Sequence, residues 1–160
     1  MTNKNNRYKF IDPGIKKYAK MQMRQYAHGT SNHEEHNNNA DYWDVLLGDI
    51  KNKNLWHNKK ALDFGCGKGR NVTNLLSLAD WLTVDGVDIS VGNIAHCEKT
   101  YPEQKSNWYT NNGLDLEKLK TGDYDFVMST ITLQHIPVHE IRKNILREIF
   151  RVMKPKGIFS

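Results

Sequence analysis

Asp63-Phe64-Gly65-Cys66-Gly67-Lys68-Gly69-Arg70 is the stretch on which the reading of the fold turns. Before it, Lys60-Ala61-Leu62-Asp63-Phe64 is a short apolar run of the kind that forms a buried strand; after it, Val72, Leu75, Leu76 and Ala79 share one face of a helix from Arg70 to Ala79. Three glycines at alternate positions permit a sharp turn and let a ligand approach where a Cβ would collide. The loop also opens a helix N-terminus, whose free N–H groups and dipole favour negative charge. Its spacing, Gly65-x-Gly67-x-Gly69, is not the G-x-G-x-x-G of a dinucleotide loop, and no G-x-x-x-x-G-K-[ST] phosphate loop occurs.

Working outward, the same alternation repeats. Leu82–Asp88 predicts a second strand, 91–100 a helix, Trp108–Thr110 a third strand and Tyr124–Ser129 a fourth. Pro137 suits the first position of a helix carrying Ile141, Ile145, Leu146, Ile149, Phe150, Val152 and Met153, which Lys154-Pro155-Lys156-Gly157 is expected to stop. Gly157-Ile158-Phe159-Ser160 reads as the opening of a fifth strand. Alternating strands and helices over 59–160 predict an α/β fold: a Rossmann-like, doubly wound, mostly parallel sheet with helices on both faces.

The loop D-x-G-C-G-x-G-R resembles motif I of class I S-adenosylmethionine-dependent methyltransferases, and further segments follow in that family's order. The resemblance implies that Asp63, Gly65, Cys66, Gly67, Gly69 and Arg70 wrap the methionine half of the cofactor. Asp88, 19 positions after Gly69 at the end of the second strand, falls where the family places an acid that accepts bonds from both ribose hydroxyls; an ionised carboxylate suits this because it only accepts. Ile89 would pack on the adenine. Asn112, Gly113 and Leu114 lie where similar sequences read the adenine edge, with Asn112 in place of the usual Asp. Ser129 belongs to the segment similar to the family's fourth strand and loop. The implied cofactor is S-adenosyl-L-methionine, with S-adenosyl-L-homocysteine as product, and the reaction is an in-line displacement by a small-molecule O or N nucleophile. His135 is the candidate base, because its loop lies at the carboxyl edge of the sheet. The family also usually adds an antiparallel hairpin after strand five, so the fold is expected to be truncated there. An exposed fifth strand would then offer an edge for a homodimer.

Composition agrees with a globular chain: 160 residues, 38% hydrophobic and 26% charged, enough for one core. No apolar run approaches the roughly 20 residues of a spanning helix. The first residues lack the apolar stretch of a secretory signal, which predicts a cytoplasmic protein. Two cysteines cannot make a disulfide framework; Cys97 is expected in the core. The net charge of +5 lies in residues 1–60, with 11 basic and 6 acidic residues, against 12 of each in 61–160. Residues 1–24 alone set seven basic residues against Asp12.

The predicted organisation is an N-terminal extension over 1–58 and a cofactor-binding core over 59–160. The extension should supply one or two short helices, an exposed loop over 28–40, and a helix capped by Asp41 whose Tyr42 and Trp43 could close over the cofactor or simply pack. His28, His33, Glu34, Glu35 and His36 invite a metal reading, but their Asn-rich, Cys-free context points to a solvated loop, so no metal is assigned. The alternative function is a cofactor-binding module without turnover, docked on RNA or a protein partner through the basic arm. Absent motifs also speak. The place after strand four reads Ser129-Thr130-Ile131-Thr132 and not Asn/Asp-Pro-Pro-Tyr/Phe, against amino-methylation of DNA, and no Pro-Cys nucleophile is present.

Overall fold

In the computed structural model, which describes residues 12–28, Leu47 and residues 53–160, the apolar run before the glycine loop is strand β1, Lys60–Phe64. Its side chains alternate between two buried clusters, one on each face of the sheet. Ala61 joins Val84, Phe126 and Met128; Leu62 and Phe64 join Val87, Val127 and Ile145. A strand covered on both faces is the normal state of a parallel sheet, and it explains why β1 reads as a continuous apolar run.

The other strands are β2 (Thr83–Asp88), β3 (Trp108–Thr110), β4 (Tyr124–Met128) and β5 (Met153–Phe159). Their order is β3-β2-β1-β4-β5, and every neighbouring pair is parallel. The helices are α1 (Pro13–Gln25), α2 (Arg70–Leu78), α3 (Val91–Thr100) and α4 (His139–Val152). Helices α2 and α3 contribute Val72, Leu75 and Ile94 to one cluster, while α4 contributes Ile141, Ile145 and Ile149 to the other. The architecture is thus a Rossmann-like, doubly wound sheet. The winding reverses between β1 and β4, which places a crevice at their carboxyl ends.

Two boundaries differ from those expected. Helix α4 starts at His139 with Val138 as its cap, so Pro137 stands just outside it. It also stops at Val152, and Met153 passes directly into β5. Lys154-Pro155-Lys156-Gly157 does not precede the fifth strand but bulges within it: Met153 pairs with Tyr124, and the next pair is Ile158 with Phe126. Lys156 takes a φ of 68° in this bulge, and Lys154 Nζ bonds Asp125 Oδ2 at 2.7 Å. The fifth strand is accordingly seven residues long, not merely begun.

The segment after β3 is held against α4 by one ion pair. Arg151 Nη2 donates to Glu148 Oε2 at 2.7 Å and to Leu116 O at 2.8 Å, Arg151 Nη1 donates to Leu119 O at 3.0 Å, and Glu148 Oε2 accepts from Leu116 N at 3.2 Å. Both side chains are nearly buried, 14% and 9% exposed. Arg151→Ala leaves the Glu148 carboxylate without its cation, so a loss of about 3 kcal/mol is expected. A thermal melt should show it as a fall in Tm of roughly 6–12 °C; an unchanged melt would mean that the pair contributes nothing net.

Candidate functional site

Where β1 ends, Gly65 N and Cys66 N both donate to Val87 O, at 2.7 and 3.1 Å, so the glycine loop is pinned across the end of β2. The loop's glycines have different causes. Gly69, at φ 87°, caps α2, and a Cβ there would lie 2.9 Å from both Trp108 and Tyr101: it is needed for packing. Gly67, at φ 53°, has nothing within 4 Å of a Cβ position and faces open space. That space is a cavity of about 360 Å³ at the β1/β4 crevice, within the range of small-molecule sites.

Asp88 closes one side. Its Oδ2 accepts from Gly67 N at 2.9 Å and its Oδ1 from Ser90 N at 2.7 Å. Burial raises its pKa, and the bonds from Ser90, Gly67, Asn93 and Ile89 pull it back down. Asp63 contrasts with it. It is 0% exposed, with the Asn71 side chain and the Arg70 charge beside it. Burial and then the charge of Asp88 push its pKa up to about 7, against the lowering influence of Arg70 and Asn71. Burial likewise raises the Cys66 thiol, so it stays protonated and is no nucleophile.

Gly65, Cys66, Gly67, Arg70, Asp88, Ile89, Gly113 and His135 all line the cavity. Asp63, Gly69, Asn112, Leu114 and Ser129 do not. Asp63 lies buried at the end of β1, and Ser129 Oγ donates to Phe64 O at 3.1 Å. Asn112 turns away to build the loop: its Oδ1 accepts from Leu114 N at 2.8 Å and Asp115 N at 3.0 Å. Its neighbour Asn111 lines the cavity instead, with Oδ1 accepting from Gly113 N at 2.8 Å.

The loop after β4 supplies Thr130, Ile131 and Thr132 beside His135. Asn71 Nδ2 donates to Thr130 Oγ1 at 2.7 Å, tying this loop to α2. The remaining wall comes from α1, whose residues carry no motif that marks them for the site. Asp12 caps this helix, with Oδ1 accepting from Gly14 N at 2.6 Å. Its buried Ala19 sits against Gly113, and Tyr18, Gln22 and Tyr26 line the cavity. The spacing i, i+4, i+8 puts these three on one helical face, a signal present in the sequence but masked by their polarity. Lys16, Lys17, Lys20 and Arg24 occupy the exposed face. Tyr42, Trp43 and the His33–His36 cluster lie outside the described residues, as does most of the helix expected after Asp41; Leu47 is helical and buried. Cys97 is in the core.

A glycine loop opening a helix, an acid ending the next strand and a cavity at the point of reversed winding define a Rossmann-like protein that binds a nucleoside-containing cofactor. More narrowly, residues 62–160 match the methyltransferase domain family, and the chain belongs to it. It is 31% identical over 124 residues to the carboxy-S-adenosyl-L-methionine synthase of Campylobacter fetus subsp. fetus (strain 82-40), across 74% of this chain and 50% of that protein. The chain thus spans about half the length of this curated relative. Among solved structures, it superposes with a TM-score of 0.62 on a putative S-adenosyl-L-methionine-dependent methyltransferase from Methanococcus maripaludis, at 16% identity, covering 90% of this chain and 61% of that one. The [4+2]-cyclase SpnF gives a TM-score of 0.61 at 19% identity, covering 82% and 49%. These likenesses show the fold.

The cofactor of this family is S-adenosylmethionine, and the cavity fits it. Gly67 leaves room for backbone approach, and Ile89 offers an apolar surface beside the Asp88 acceptor. Among the described residues, no helix is long and apolar enough to cross a membrane.

Proposed function

We propose that this chain carries the cofactor site of a methyltransferase that moves a methyl group from S-adenosylmethionine to a small-molecule O or N nucleophile, in the cytoplasm. The observation that carries the reading is the Asp88–Gly67 hydrogen bond across the open crevice, which joins the two motifs expected to grip opposite ends of the cofactor. Bound S-adenosylmethionine supplies a methyl group already activated on a sulfonium. The protein's task is to orient it, exclude water and, for a hydroxyl acceptor, take a proton. Asp88 would hold the ribose and Ile89 the adenine, while Gly65–Arg70 would hold the methionine half. The Tyr18–Gln22–Tyr26 face of α1 would shield the site. On this reading residues 1–58 form an extension that caps a core over 59–160, and Ser129 and Leu114 act by supporting the loops.

His135 is the proposed base. His135→Ala should lower turnover about a hundredfold or more while leaving the cofactor's Kd unchanged; equal loss of both would make it a structural residue. A homodimer would pair along the outer edge of β5, where Pro155 and the bulge shorten the ladder available. A monomeric mass at high concentration counts against that pairing.

A second reading has support of its own: the curated relative is a synthase that makes a carboxylated form of the cofactor, and the cyclase shares the fold. Mass spectrometry of products separates the two. Incubation with S-adenosylmethionine, a panel of phenols and amines, and a set of small carboxylic acids as carboxyl donors yields S-adenosylhomocysteine and a methylated acceptor if the first holds, and a cofactor heavier by a carboxyl group, with a decarboxylated donor, if the second does. The alternative of a cofactor-binding module without turnover, docked on RNA or a protein partner, is not favoured, since the chain belongs to the methyltransferase domain family.

A further inference from the structure

Three non-glycine residues among those described take a positive φ: Asn58, Ile131 and Lys156. Asparagine tolerates this region and Lys156 sits in the β5 bulge, but Ile131, at φ 59°, is β-branched, and left-handed backbone is costly for such a side chain. Its neighbours hold it there. Thr130 Oγ1 accepts from Asn71 Nδ2 at 2.7 Å, and Thr132 Oγ1 donates to Thr130 O at 3.1 Å and lies 3.4 Å from Gly65 O. Both threonines are thus engaged with α2 and the glycine loop, while Ile131 stands between them on the cavity wall, 48% exposed. A large apolar side chain left half in solvent gains little from burial, so packing in the ligand-free protein does not offset the strain. Strain of this kind persists where the surroundings over-determine it, and it concentrates at ligand sites.

The part of the cavity around Ile131 is uncharged. Among the described residues that line the cavity, the formally charged ones are Lys68, Arg70 and Asp88, all in the glycine loop, at the start of α2 or at the end of β2. The loop after β4 and helix α4 contribute Ile131, Ile136, Ile141 and Ile145 beside the imidazole of His135. An ionised acceptor would lose hydration there without a fixed counter-charge among the described residues, a cost that an uncharged one avoids. We infer that Ile131 determines acceptor specificity, and that the acceptor is an uncharged aromatic hydroxyl compound whose ring rests on Ile131 while its hydroxyl reaches His135. This rests on the cofactor reading above. An imidazole takes a proton from a phenol, of pKa about 10, far more readily than from an aliphatic alcohol. In the transfer the phenolic oxygen bonds to the methyl carbon, the carbon–sulfur bond breaks with its electron pair kept by sulfur, and the phenolic proton passes to His135. Covering Ile131 with a ring removes apolar area from water and offsets its backbone strain in the complex.

Two measurements on the full chain test this together: thermal melts of the parent, Ile131→Asn and Ile131→Gly, and calorimetry of each. The chain is titrated first with S-adenosylhomocysteine, then, once loaded, with para-propylphenol, tyramine and para-hydroxyphenylacetate. The three probes share a phenol ring and differ in the charge at its far end. The loaded parent should bind para-propylphenol at least about tenfold more tightly than either charged probe. Both variants should weaken para-propylphenol about tenfold, the loss of most of one buried side chain's apolar contact, with the Kd of S-adenosylhomocysteine unchanged. The ligand-free Ile131→Asn chain should nevertheless melt higher than the parent, by roughly 2–8 °C, because asparagine accepts left-handed backbone. Ile131→Gly should gain less, since glycine gives the unfolded chain more freedom. Greater stability with poorer acceptor binding is the opposite of what loss of a packing residue produces. Variants that melt lower than the parent, or that bind para-propylphenol as tightly, overturn the inference; so does a charged probe that binds as tightly as the neutral one. S-adenosylhomocysteine binding without binding of any phenol overturns it and leaves the cofactor reading standing. Failure of S-adenosylhomocysteine to bind the parent overturns both.

Discussion

Asp88→Ala should raise the Kd for S-adenosylmethionine and S-adenosylhomocysteine alike by at least about a hundredfold. The side chain is expected to accept from two ribose hydroxyls, and a hydrogen bond to a charged group contributes roughly 1.5–3 kcal/mol, so two of them set this scale. The same carboxylate fastens Gly67 N and Ser90 N, and its loss would also loosen the glycine loop. Asp88→Asn separates the two contributions: the amide keeps the shape and one acceptor but loses the charge, and should fall between the parent and the Ala variant. Calorimetry beside an NAD titration is the measurement. An Ala variant that binds as tightly as the parent would remove Asp88 from the site and with it the proposed orientation of the cofactor.

Gly65→Ala should destabilise the protein by about 2–4 kcal/mol, a fall in Tm of roughly 4–16 °C. Gly65 has a φ of 81°, and a Cβ there would stand 2.0 Å from Thr132 Oγ1 and 2.6 Å from Thr132 Cβ. Thr132 is β-branched and stiff, and its loop is tied down through the Thr130–Asn71 hydrogen bond, so it cannot swing clear cheaply. The double variant Gly65→Ala/Thr132→Gly should recover the steric part of the loss and leave the backbone strain. If the double variant melts no higher than the single, the contact is not the cause. Cofactor binding should weaken in the single variant too, because the displaced loop lines the cavity with Thr130, Ile131 and Thr132.

Much of this site was legible in the chain. The run Lys60–Phe64 is a strand with the bounds expected of it, since a parallel strand buried on both faces advertises itself as an unbroken apolar segment. The glycine loop and the acid at Asp88 were legible because turn chemistry and strand ends are local. Other features were not. Asn112 and Asn111 are neighbours of the same type; which of them faces the cavity depends on how Gly113, at φ 73°, and the Asn111 side chain fold the turn. Lys154-Pro155-Lys156-Gly157 reads as a helix stop because Pro and Gly end helices locally; that it is a bulge inside β5 follows from pairing with β4 on both sides of it and from the bond from Lys154 to Asp125.

The chemical division of the two carboxyls is a further case, because nothing in the letters at 63 and 88 differs. The sequence by itself determined the order of strands and helices, the glycine loop and the acid that faces it, because those follow from periodicity and backbone chemistry within a few residues. Only the tertiary structure decided that α1 walls the cavity through Tyr18, Gln22 and Tyr26, and that Asp63 is fully buried behind the loop while Asp88 lines the cavity. Both depend on contacts between residues distant along the chain, Ala19 against Gly113 and Asp63 beside Asp88, and burial is a property of the packed whole that no local pattern carries.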